Sequence, residues 1–72
     1  MNRTRIRYDQ IQDQWCVELD GREYGLHCGE SFELYIGRKT IPCRLELASK
    51  WYVIMGNTRF DLREDDQYLV NL

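Results

Sequence analysis

The chain predicts a mainly β fold, a small antiparallel barrel or a strongly bent sheet of about five or six strands. Apolar residues recur at period two in short runs, and turn-forming residues interrupt those runs roughly every 8–12 positions. No stretch sustains the ~3.6-residue period of an amphipathic helix. A closed or nearly closed barrel is the simplest way to hide the edges of so many short strands.

Arg3 to Tyr8 opens the chain with β-prone residues, and alternation sets Arg3, Arg5 and Arg7 on one face with Thr4, Ile6 and Tyr8 on the other. Trp15, Val17 and Leu19 share a face in the next segment. Asp20-Gly21 follows, a dipeptide suited to the positive φ angles of a tight hairpin turn. The returning segment Arg22 to Leu26 runs into His27-Cys28-Gly29, where Gly25 and Gly29 bracket a short irregular stretch. Phe32, Leu34 and Ile36 form the inward face of a further strand, with Glu33 and Tyr35 outward. After the turn Gly37-Arg38-Lys39, Ile41, Cys43, Leu45 and Leu47 face in against Pro42, Arg44 and Glu46. Proline has no N–H to give a ladder, so this strand is expected at a sheet edge or bulged near Pro42. Trp51, Val53 and Met55 continue the alternation and Gly56-Asn57 turns the chain again. Phe60 to Leu62 and Gln67 to Val70 remain, separated by an acidic loop or helical turn, Arg63 to Asp66. The expected core is Trp15, Phe32, Leu34, Ile41, Leu45, Trp51 and Val53, with Phe60 among the interior aromatics.

The 72 residues, 43% hydrophobic and 31% charged, make one small globular domain over positions 1–72. No apolar run approaches the ~20 residues of a membrane-spanning helix, and MNRTRIRYDQ lacks the apolar stretch of a signal peptide. The reading is a cytoplasmic chain with no membrane partner. Three cysteines leave at least one unpaired, which fits reduced thiols in a reducing compartment. Ten Lys and Arg against twelve Asp and Glu give a net charge of −2, so no overall field draws the protein to nucleic acid or anionic lipid. The two ends nevertheless differ in sign, with Arg3, Arg5 and Arg7 at one and Asp61, Glu64, Asp65 and Asp66 at the other.

The run Tyr24-Gly25-Leu26-His27-Cys28-Gly29-Glu30, then Phe32-Glu33, Ile41-Pro42-Cys43-Arg44-Leu45-Glu46 and Trp51-Tyr52, resembles a family of short bacterial proteins catalogued as a domain of unknown function. The resemblance covers roughly residues 15 to 56, and Leu-His-Cys-Gly is its most specific part. It implies a compact β fold of about this length and a setting on conjugative mobile elements of Gram-positive bacteria. No activity comes with it.

Four constellations are candidates for function. An imidazole beside a thiol, His27-Cys28, is the raw material of nucleophilic catalysis, yet neighbours on an extended segment point to opposite faces. The alternative is that Leu26 to Gly29 is a buried or half-buried turn in which Cys28 packs as a small hydrophobe, so the role of His27, Cys28 and Gly29 stays open. Cys16, Cys28, Cys43 and His27 form a nominal zinc set, but no C-x-x-C chelate supports it, and no metal or cofactor is expected. The Arg3, Arg5 and Arg7 stripe is the stronger binding candidate, a compact site for phosphates or an acidic protein surface, which outward Tyr35 and Tyr52 would extend. Its alternative is intramolecular, with the first and last strands pairing and the arginines answering Asp61, Asp65 and Asp66. The expected function is therefore a non-enzymatic interaction module with a protein partner, with nucleic-acid binding through the arginine stripe as the alternative.

Overall fold

The computed structural model describes residues 3–72. Eight strands, β1 (Arg3–Asp9), β2 (Gln14–Leu19), β3 (Arg22–Gly25), β4 (Ser31–Ile36), β5 (Lys39–Leu47), β6 (Trp51–Met55), β7 (Thr58–Asp61) and β8 (Tyr68–Asn71), form one antiparallel sheet in the order β3-β2-β1-β8-β4-β5-β6-β7. The count exceeds the expected five or six because three segments of only four residues, β3, β7 and β8, each find a neighbour. No helix long and apolar enough to cross a membrane occurs among the described residues.

The hairpins follow local chemistry. Asp20 and Gly21 both take positive φ, 52° and 76°, as a tight turn between β2 and β3 demands. Gly37 and Gly56, at φ 62° and 59°, lead the tight turns from β4 to β5 and from β6 to β7. Non-local pairing then decides the architecture. The last strand lies in mid-sheet between β1 and β4, with Thr4 and Leu34 on either side of Val70.

The sheet is coiled but does not close into the expected barrel, for β3 and β7 remain edges. In a flat sheet, four inter-strand steps would hold β7 about 19 Å from β8 and β1 as far from β6. Instead the rings of Phe60 on β7 and Tyr68 on β8 are 5.9 Å apart, edge to face. Asp13, in the β1–β2 loop at φ 50°, accepts hydrogen bonds from the Tyr8 hydroxyl and, at 3.2 Å, from the Trp51 indole. Those two bonds fasten β1 to β6 across the roll. They also hold the Asp13 carboxyl below its usual range, and the same bond, chiefly, pushes Tyr8 up to about 12.

The concave face is the core. Ile6, Trp15, Leu45, Val53 and Val70 are fully buried, each contributing roughly 1.5–3 kcal/mol by the area it removes from water. Trp15 sits between Tyr8 and Tyr68 at ring distances of 5.6 and 5.7 Å. Several expectations fail at the ends of strands, where the sheet no longer covers what faces inward. Ile41 is only half-buried, Leu47 and Ile36 are exposed, and Phe60 keeps 36% of its surface. Pro42 is not on an edge strand, since β5 lies between β4 and β6. The β5–β6 register begins at Arg44, however, so the missing N–H of Pro42 removes no bond to β6.

Candidate interaction surface

Alternation in β1 carries the three arginines to the convex face, and the sheet register supplies their neighbours. Arg3, Arg5 and Arg7 are all exposed, opposite Asn71, Leu69 and Cys16 respectively. The Arg3 guanidinium lies 5.1 Å from the centre of the Tyr35 ring on β4, within cation–π range. The Tyr35 hydroxyl donates to Asn71 Oδ1 at 3.3 Å, and the Asn71 amide donates to Glu33 Oε1 at 3.3 Å, which fixes the ring from beneath. Arg7 is ion-paired with Glu23 of β3. Arg5 makes no ion pair among the described residues.

β1 and β8 do pair, yet the acidic segment does not answer the arginines. Asp61 bonds Arg59 at 2.9 Å and Asp66 lies 3.9 Å from Arg63, so each meets a cation close in sequence. Tyr52 does not join the stripe either. It lies on β6, four strand positions from β1, with Arg59 stacked 3.8 Å from its ring centre. The structure thus assembles Arg3, Arg5, Arg7 and Tyr35 on one surface and places Tyr52 elsewhere.

The Leu26 to Gly29 segment is a backbone device. The Leu26 N–H donates to Trp15 O at 2.7 Å and its side chain enters the core. Gly29, at φ 90°, occupies the turn position that needs a left-handed backbone, and Glu30 N closes the turn onto His27 O at 3.2 Å. Gly29 N donates to Leu45 O at 2.7 Å while Leu45 N donates to Glu30 O at 2.9 Å. Two residues thus oppose one, a glycine-type β-bulge. His27 and Cys28 are carried between these anchors and are exposed, so Cys28 is not the packed hydrophobe expected.

The other thiols are buried on opposite faces of the sheet, which keeps the nominal zinc set apart. Cys43 packs in the concave core, where burial pushes it up to about 11. Cys16 alternates out of the core to the convex face, and desolvation raises it, with Asp9 adding and Arg7 opposing. Its sulfur and carboxylate oxygens of Asp9 and Glu23 lie within 4.8 Å of one another. That cluster already has its cation in Arg7, and Asp9 Oδ1 accepts the Ile11 and Gln12 amides at 3.0 and 3.3 Å.

One feature escaped the sequence reading, an apolar groove of about 230 Å³ lined by Leu34, Tyr35, Ile36, Phe60 and Tyr68. Period two marked Ile36 and Phe60 as inward, but only the coiling of the sheet reveals that they stand at its open side.

No curated protein matches the chain. A crystal structure from structural genomics, of a protein from the Gram-positive gut bacterium Ruminococcus gnavus, is similar to it with a TM-score of 0.79 and 27% identity, covering 99% of this chain and 100% of that one. The model of the family DUF5348, described as a domain of unknown function, matches residues 4–72, well beyond the central segment that carried the resemblance. By that match over nearly its whole length, the chain belongs to the DUF5348 family.

Proposed function

We propose that this protein is a non-enzymatic interaction module whose convex β1–β8–β4 face, centred on Arg3, Arg5 and Tyr35, holds an acidic segment of a protein partner. The observation that carries this reading is the joint exposure of the three arginines, of which Arg7 alone is ion-paired among the described residues, beside an aromatic ring fixed through Asn71. Guanidinium forks suit carboxylates in pairs, and a rigid tyrosine adds contact area at little entropic cost. Around the arginines stand Glu23, Glu33 and, paired with Glu23 across β2–β3, Glu18. A mixed-charge frame of that kind favours a patterned protein surface over a uniform phosphate chain. Buried thiols raised above their usual range, and a His27-Cys28 pair held through the backbone of the residues that flank it, favour binding over covalent catalysis. The setting proposed is the cytoplasm, on the free thiols, and, from the family resemblance, that of an accessory of a bacterial mobile genetic element.

Nucleic-acid binding by the same face is the second reading, favoured by the Arg3–Tyr35 stack, which would extend to an unpaired base. One titration separates the two. A labelled peptide of alternating Glu and Tyr, and single- and double-stranded oligonucleotides, are added at ~50 mM salt to the natural chain and to a variant with Arg3, Arg5 and Arg7 all changed to Gln. Saturable peptide binding that the triple variant loses supports the proposal. Oligonucleotide binding with a log–log salt slope of about −2 to −3 transfers the assignment to nucleic acid. No binding of any probe below ~100 μM, or binding unaffected by the substitutions, overturns the assignment of this face.

A further inference from the structure

We propose that the free edge of β7 is a self-association site at which two copies of this chain pair antiparallel about a two-fold axis, with Phe60 opposite its symmetry mate. Residues flanking a tight two-residue hairpin turn exchange both backbone bonds, so Thr58, next to Gly56-Asn57, bonds Met55. The direction alternates along the strand, and Leu62 N, four residues on, does donate inward to Trp51 O at 3.0 Å. Thr58, Phe60 and Leu62 therefore spend their backbone groups on β6. Arg59 and Asp61 turn theirs to the open edge.

An edge strand offers such groups to any extended chain, and many proteins blunt theirs with a proline or inward-pointing charge. β7, Thr58-Arg59-Phe60-Asp61, has neither, and all four residues are exposed; it is short and carries two outward charges, Arg59 and Asp61, so its edge admits only a strand that answers those charges. In an antiparallel pair of identical strands, outward-facing residues must meet outward-facing residues, which leaves three symmetric registers. Arg59 opposite Arg59 and Asp61 opposite Asp61 each set like charges across the axis, an unfavourable arrangement. The remaining register sets Arg59 opposite the second copy's Asp61 twice and the two Phe60 rings side by side. Non-hydrogen-bonded antiparallel pairs bring their side chains closest, and Phe60 falls at such a pair. Each ring, 36% exposed in the single chain, would be covered at the mouth of the apolar groove. Strand pairing over so few residues makes a weak interface, so association belongs in the high-micromolar range rather than the nanomolar. This edge is at the far end of the sheet order from β1 and the inference is independent of the function proposed above.

The test is sedimentation equilibrium up to ~1 mM on the natural chain, on Arg59→Asp, on Asp61→Arg, and on an equimolar mixture of the two variants. Both side chains are more than half exposed, and circular dichroism of each variant confirms folding. The natural chain should rise toward twice its 8.7 kDa mass with concentration. Each variant alone, now bearing like charges across the axis, should stay monomeric. The mixture, in which one strand carries two acids and the other two arginines, should dimerise at least as well as the natural chain. Amide exchange at Arg59 and Asp61 should slow at high concentration while that at Thr58 and Phe60 is unchanged. A natural chain that is monomeric throughout, variants that associate undiminished, or a mixture that fails to recover would overturn the proposal.

Discussion

The two faces of the coiled sheet obey different rules. On the concave face Ile6, Trp15, Leu45, Val53 and Val70 are all fully buried, and each contributes by being apolar and inward, whichever apolar neighbour it meets. On the convex face the meaning of a residue depends on its partner. Arg7 is neutralised because β3 brings Glu23 to it, Arg3 stacks because β4 brings Tyr35, and Arg5 lies opposite Leu69. Burial is specified by local alternation, whereas surface chemistry is specified by strand order. Substitutions should accordingly separate into those that remove the fold and those that leave it intact while changing what it binds.

The largest effects belong to the concave face. Phe32→Ala and Trp51→Ala should each cost roughly 3–5 kcal/mol, enough to unfold a domain of this size, as read by urea denaturation. Either variant remaining folded with an unchanged midpoint would show that the concave face is not the core. Leu45 and Leu47 show the effect of cover within a single strand, since both point inward but Leu47 retains 42% exposure. Leu45→Ala should cost about 2–5 kcal/mol and Leu47→Ala under ~1 kcal/mol.

An intermediate effect is expected at Asp13, which joins the two ends of the roll. Asp13→Ala removes the acceptor of both Tyr8 and Trp51 and leaves a β-carbon at φ 50°, so its melting temperature should fall further than that of Asp13→Asn, which keeps an acceptor and tolerates that backbone. The pH dependence follows from the lowered carboxyl. The unfolded chain takes up the proton first, so the Asp13 contribution is complete above about pH 4 and is lost as pH falls through the folded value. At the alkaline end the raised Tyr8 has the opposite sense, its contribution being complete below about pH 10 and lost as pH rises toward about 12. Acid and base melts of the natural chain and of Asp13→Asn should differ in the acid window and, because the Asp13 carboxylate is the chief cause of the raised Tyr8, in the alkaline window as well.

The smallest effect on stability is predicted on the convex face. Changing Arg3, Arg5 and Arg7 together to Gln removes one exposed ion pair and one cation–π contact, so thermal unfolding should shift by no more than the ~1 kcal/mol such contacts provide.

The same division explains what was legible in the sequence. Alternation and turn dipeptides marked the segments of the five longer strands, β1, β2, β4, β5 and β6, and the Asp20-Gly21 turn with both φ angles positive. Strand count and closure were not legible, because the four-residue segments β3, β7 and β8 become strands only when β2, β6 and β1 lie beside them, and because no local signal sets the C-terminal strand in mid-sheet. Inward direction also overstated burial wherever cover depends on coiling, as at Ile36, Ile41 and Phe60. The arginine stripe was visible as a stripe. That Tyr35 belongs to it and Tyr52 does not follows from strand order. The Leu-His-Cys-Gly segment drew attention for its chemistry, whereas its anchored parts are Leu26 in the core and Gly29 in a bulge against Leu45.

The proposal that the convex β1–β8–β4 face is the binding surface is tested most directly by mapping backbone amide shifts while an acidic Glu–Tyr peptide is titrated into the natural chain. The account predicts that the shifts concentrate at Arg3, Arg5, Leu69, Asn71 and Glu33 to Tyr35, with His27, Cys28 and the β6–β7 hairpin unmoved. Shifts centred on His27 to Gly29 or on the groove beside Phe60, with the arginine face silent, would contradict it.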